Sequence, residues 1–164
     1  MDLPDELRIP DDVLEKLQEP ETFRKYIEEG KSLQEIIGYS DELMEEMYQA
    51  ACQVFREGHH QEAEDAFLFL TTINPYVYAY WLGLGMSYHL LEEYEQAILG
   101  YDCAMALDKT NPIPYYHKAS CYYLLGEKNE SIDALKGCLE RCKDEHKELK
   151  EKAEVALRKV EKKK

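Results

Sequence analysis

The chain has 164 residues, enough for one domain with its own core or for a short array of repeats that share one. With 34 Asp and Glu against 20 Lys and Arg its formal charge is −14, a field that repels phosphate backbones and anionic headgroups and makes nucleic acid and membrane surfaces poor partners. No apolar run approaches the ~20 residues of a bilayer-spanning helix, and the acidic start MDLPDELRIPDD is unlike a signal peptide, so the expected location is the cytoplasm. Its five cysteines (Cys52, Cys103, Cys121, Cys138, Cys142) lack the spacing of a disulfide framework or of a paired C-x-x-C metal site, and read as reduced, packed thiols.

Taken in order, residues 1–21 are acidic and broken by Pro4 and Pro10, and are expected to be disordered or loosely ordered. Over 22–43, FRKYI (23–27) and SLQEII (32–37) predict two short helices separated by Gly30, the second with Ser32 as N-cap. From Met44 onward the sequence repeats itself every 34 positions: Ala63, Ala97 and Ser131 share a register, as do Ala51, Gly85 and Ala119, and Phe67, Tyr101 and Leu135. Large residues also recur at Val54, Tyr88 and Tyr122 and at Met47, Trp81 and Tyr115. Small positions let paired helices approach, and bulky neighbours fill the space around them.

Three units follow at 44–77, 78–111 and 112–145. Each is a pair of antiparallel helices, punctuated by Gly58, Asn74-Pro75, Asn111-Pro112 and Gly126. In 146–164, Leu149, Ala153, Ala156, Leu157 and Val160 recur at helical spacing among charges, as in a terminal capping helix. The basic cluster at its end, Arg158, Lys159 and Lys162 to Lys164, reads as complementing the helix dipole.

A 34-residue period with Trp81, Leu84, Gly85, Tyr88, Ala97, Tyr101 and Ala104 in the middle unit resembles the tetratricopeptide repeat (TPR). The implied fold is all-α: three tandem repeats in an α-solenoid, with N-terminal helices and a C-terminal capping helix. Lys109 in place of proline, Ser131 in place of alanine and Lys118 at an apolar position depart from the pattern. In such a stack the first helix of each pair turns one set of side chains toward a concave groove. Here that set is Tyr48, Cys52 and Phe55, then Leu82, Met86 and His89, then Tyr116, Ser120 and Tyr123. A largely apolar groove calls for a peptide ligand with apolar anchors, and tyrosine offers both a stiff surface and a hydroxyl for the peptide backbone. Tyr48, Cys52, Leu82 and Met86 could not hold a terminal carboxylate, which needs cations and amide donors.

The runs YWLGLGMSYHLLEEYEQAILGYDCAMALD (80–108) and PYYHKASCYYLLGEKNESIDAL (114–135) narrow the likeness. From about residue 22 to the end the chain resembles the class II chaperones of bacterial type III secretion systems. LGLG at 82–85 and HKASC at 117–121 are more specific than repeat spacing alone. The resemblance implies a cytoplasmic bacterial chaperone for secreted translocator proteins. Their long hydrophobic segments would aggregate, or insert in the wrong bilayer, if left free. It implies a groove holding an extended client segment, with Cys52 where members carry an aromatic residue, and homodimer contacts through the helices around Phe23 to Ile37. The alternative reading is a TPR scaffold or regulatory protein in a multiprotein assembly.

No cofactor, metal or catalytic residue is expected. His59-His60 lies in a turn, and Cys138, Cys142 and His146 straddle a helix boundary without a fourth ligand. Nucleophile elbows, phosphate loops and H-E-x-x-H are all missing from the sequence, and adjacent acidic pairs such as Glu45-Glu46 point apart on a helix. The reading is a binding protein and not an enzyme.

Overall fold

The computed structural model describes residues 8–162, and within them the chain is helical throughout, with no strand. The loosely ordered segment expected over 1–21 is corrected in part. Asp11–Gln18 forms helix α1 and Pro20–Glu28 forms α2, while the expectation for residues 1–7 lies outside the described residues. Proline placement explains the difference. Pro10 is the N-cap residue of α1 and Pro20 opens α2, where a missing N–H costs nothing. Asp11 and Asp12 occupy the first turn of α1, and Lys16 pairs with Asp12 at 2.9 Å.

Helix α3 (Leu33–Ile37) starts with a capping box: the Ser32 amide donates to Glu35 Oε2 at 2.8 Å and the Glu35 amide donates to Ser32 Oγ at 3.2 Å. Gln34 ties this corner to the repeats. Its amide nitrogen donates to Asp41 Oδ1 at 2.7 Å, and its carbonyl accepts from the Asn74 side chain at 2.7 Å.

Three antiparallel pairs follow: α4 (Asp41–Arg56) with α5 (His60–Ile73), α6 (Tyr78–Leu90) with α7 (Tyr94–Leu107), and α8 (Ile113–Leu125) with α9 (Lys128–Arg141). Helix α4 begins ahead of Met44 because Ser40 caps it, accepting from the Leu43 amide at 3.1 Å. Each turn inside a pair needs one left-handed residue, at Gly58 (φ 86°), Glu92 (φ 63°) and Gly126 (φ 81°). The second pair crosses most tightly: a Cβ on Gly85 would lie 2.9 Å from the Tyr101 ring, and one on Gly100 would lie 2.9 Å from Gly85 Cα. After a 3₁₀ turn at Asp144–His146, α10 (Lys147–Lys162) closes the stack.

Each helix packs on the next from α4 to α10, and the recurrent small and bulky residues fill the seams. Ala51, Ala63, Phe67, Ala97, Tyr101, Ala104, Ala119 and Leu135 are all buried. The departures from the repeat pattern have local partners. Ser131 Oγ donates to the Ala119 carbonyl at 2.9 Å, Lys118 pairs with Asp102 and lies over the Tyr122 ring, and the Lys109 carbonyl accepts from Arg141 Nε at 2.7 Å.

The packing also sets the curvature. The inner helices pack side by side, α4 with α6, α6 with α8 and α8 with α10. The wall formed by α4, α6, α8 and α10 is therefore the concave one.

Candidate peptide-binding groove

All nine residues expected on the groove are half-buried, the state of side chains that line a cleft rather than fill a core. The structure divides them into three places along the concave wall. Tyr48, Cys52 and Phe55 of α4 face Leu82 and Met86 of α6 across a 220 Å³ concavity floored by Phe67 and Gly83. Gly83 makes room for that floor, because a Cβ there would stand 2.3 Å from the Phe67 ring. Tyr48 is itself held by neighbours, edge-on to Phe67 at 6.2 Å and tilted against Tyr80 at 5.6 Å. Burial pushes its phenol up to about 12, so at neutral pH it stays a hydrogen-bond donor.

One repeat further on, the positions of Phe67 and Gly83 are taken by Tyr101 and His117, whose rings stack on one another. The His117 imidazole stacks on Tyr101 at 5.8 Å and 22°. His89, expected on the groove surface, contacts the same group: its Nδ1 lies 3.3 Å from Tyr101 Oη and its ring 6.3 Å from His117. Burial, and secondarily the neighbouring His89, holds His117 down at about 4, and burial lowers His89 as well, so both imidazoles are neutral at pH 7.

A further repeat along, Tyr116, Ser120 and Tyr123 of α8 face Ala156, Lys159 and Val160 of α10 across a second concavity of 120 Å³, with Leu135 and Ser131 beneath. These are the images of Tyr48, Cys52, Phe55 and Phe67 displaced by two repeats. Ala156, Lys159 and Val160 reproduce the i, i+3, i+4 spacing of Ala79, Leu82 and Gly83. The C-terminal helix thus extends the groove as well as capping the core. The sequence reading had given Lys159 only a helix-end role. The longer connection before α10 breaks the 34-residue register, so only the i, i+3, i+4 pattern could have disclosed it.

Titratable groups shifted by burial on this wall are phenols, thiols and imidazoles held in their neutral forms, among them Cys121, whose thiol burial pushes up to about 12. No three His, Cys, Asp or Glu side chains among the described residues converge as metal ligands would, and none of the described helices is long and apolar enough to cross a membrane.

Fold and groove together define a TPR-type helical-repeat protein with two concavities along a largely apolar inner wall. No family model matches the chain. The chaperone SicA of Salmonella typhimurium is 28% identical over 131 residues, spanning 80% of this chain and 78% of SicA. The low calcium response locus protein H of Yersinia pestis is 26% identical over 69% of this chain and 67% of its own length. A type III secretion complex from Aeromonas hydrophila superposes with a TM-score of 0.84 at 26% identity, covering 88% of this chain and 97% of that one. The Yersinia enterocolitica translocator chaperone SycD, solved with a peptide of the translocator YopD, gives 0.72 at 27% identity over 74% of this chain and 95% of its own. The likeness to type III secretion translocator chaperones holds in sequence and in fold.

Proposed function

We propose that this chain is a cytoplasmic type III secretion chaperone that keeps a hydrophobic translocator protein secretion-competent by holding an extended segment of it along α4, α6, α8 and α10. The observation that carries this reading is the open apolar concavity between Tyr48, Cys52, Phe55, Leu82 and Met86, on the wall where repeat proteins of this kind present their ligand-binding side chains. Its relatives support the occupant: SycD is solved with a YopD peptide, and PcrH with the chaperone-binding regions of PopD and of PopB. They are chaperones, and the present chain is read as a chaperone with no catalytic step.

The homodimer reading has support of its own. Helix α1 packs chiefly against α2, leaving Leu14, Phe23 and Ile27 exposed, and the outer edge of the first repeat carries an open apolar concavity with Met47, Val54, Ala66 and Phe69. SycD is also known as an alternative dimer.

The test is co-expression with a translocator of the same secretion system. The wild-type chain should recover the translocator from the soluble fraction, and Leu82→Glu with Met86→Glu should leave it in the pellet while circular dichroism shows the helices intact. A translocator equally soluble with the double variant, or soluble alone, would move the reading to a scaffold.

A further inference from the structure

Six of the nine residues lining the concavity between α4 and α6 have a particular affinity for rings. Tyr48, Phe55 and Phe67 present rings themselves, Met86 a thioether and Cys52 a thiol, and Arg56, exposed at the end of α4, brings a guanidinium to the same space. Rings pair edge to face, sulfur lies favourably at a ring edge, and a guanidinium rests over a ring face, contacts that an aliphatic chain does not offer in return. The fold already uses the first of these here: Tyr48 stands edge-on to Phe67 at 6.2 Å and leans on Tyr80 at 5.6 Å.

The room for a further ring comes from two small residues. Cys52 stands between Tyr48 and Phe55 on α4, where its image one repeat on is the larger Met86, and Gly83 carries no Cβ against Phe67. The 220 Å³ of the concavity exceeds the ~150 Å³ of an apolar protein cavity that takes up benzene.

We infer that this pocket selects an aromatic side chain of the client segment over an aliphatic one, with Cys52 setting the room for the ring and Arg56 and Met86 the preference. The inference rests on the groove reading above and names the anchor which that reading leaves open. Burial alone treats the two classes nearly alike, since a buried leucine and a buried phenylalanine gain similar free energy. The contacts of the lining therefore decide between them. A ring seated between α4 and α6 joins the Tyr48, Phe55 and Phe67 rings, gains the Met86 sulfur, and gives the Arg56 guanidinium a face to cover. The place of Arg56 in the last turn of α4 also suits the helix dipole, and the two roles do not compete.

A phage-displayed library of random peptides, panned against the whole chain, supplies the probe, and synthetic copies of the selected peptides give affinities. The wild-type chain should select peptides that carry a Phe, Tyr or Trp anchor, and changing that anchor to Leu should weaken binding about tenfold. On Arg56→Gln the aromatic peptide should weaken about threefold and its Leu version should be unaffected. Cys52→Phe, which puts the chain's own ring in the space, should weaken the aromatic peptide about tenfold or more and select no aromatic anchor. An unchanged melting temperature shows each variant folded, and Arg56→Gln, at an exposed position, carries the test should Cys52→Phe fail to fold. Peptides lost on Leu82→Glu with Met86→Glu but anchored by Leu, Ile or Val would overturn the aromatic anchor and leave the groove standing. Aromatic peptides that bind Arg56→Gln and Cys52→Phe as they bind wild type would do the same. A library that yields nothing, or peptides that bind the double variant equally well, would overturn the groove reading itself.

Discussion

His117 makes the fold measurably acid-sensitive, and the size of the effect can be worked from its surroundings. Stacked on Tyr101 and facing His89, its imidazole is held near 4 against an ordinary value of 6.5. Because the folded-state value is depressed, the unfolded chain takes up the proton first as pH falls. Stability is therefore complete above the unfolded value and is lost through the window from 6.5 down to about 4, where both states become protonated. The whole shift corresponds to about 3 kcal/mol, of which about 2 kcal/mol is spent between roughly pH 7 and pH 5. That is a sizeable share of the ~5–15 kcal/mol typical of a domain. The comparison is His117→Phe, which keeps a flat ring over Tyr101 and removes the proton. Urea unfolding of both proteins at about pH 7 and pH 5 gives two differences, and the wild type should lose about 2 kcal/mol more than the variant. Carboxylate titration and the smaller depression at His89 are present in both chains and cancel. Equal losses would refute the buried neutral imidazole.

Two further outcomes test the packing. Glu92 holds the left-handed position that Gly58 and Gly126 occupy in the flanking repeats, so Glu92→Gly should leave stability unchanged or raise it by up to about 1 kcal/mol in chemical denaturation, whereas Gly58→Ala or Gly126→Ala should lower it by about 1 kcal/mol or more. Gly83→Ala should lower the melting temperature even though alanine is the better helix former. Its Cβ would meet the buried Phe67 ring at 2.3 Å, and about 1–3 kcal/mol of overpacking outweighs the ~1 kcal/mol of propensity; a stabilised Gly83→Ala would show the floor to be soft.

The repeated core was legible because it depends on periodicity. Ala63, Ala97 and Ser131 are buried at one register, and Phe67, Tyr101 and Leu135 at another, so the all-α solenoid could be read without placing any single helix. The inner wall was legible for the same reason, since its side chains recur with the period. What periodicity does not carry is which inner positions stay open. Phe67 with Gly83 leaves a concavity, while Tyr101 and His117 at the same two positions stack, and the difference depends on how one ring packs on another. His89, expected on the groove, for that reason also touches Tyr101 and His117. The N-terminal error has a different origin: Pro10 was counted as an interruption, although at the N-cap of a helix a missing N–H costs nothing.

The repeat scaffold separates two requirements that a client-holding groove must meet together. Buried positions of each repeat, the small residues and the rings that pack against them, fix the helix crossings and tolerate little change. Half-buried positions of the inner helices contribute less to those crossings and can differ from repeat to repeat. One backbone plan thereby yields a pocket between α4 and α6, a stack of neutral rings and a second pocket between α8 and α10. The order of these three along the wall gives an extended segment a direction and a register that a uniformly apolar channel would lack, since hydrophobic contact alone discriminates weakly between frames of a hydrophobic chain. The net charge of −14 acts at longer range, and at physiological salt it is screened over about 8 Å.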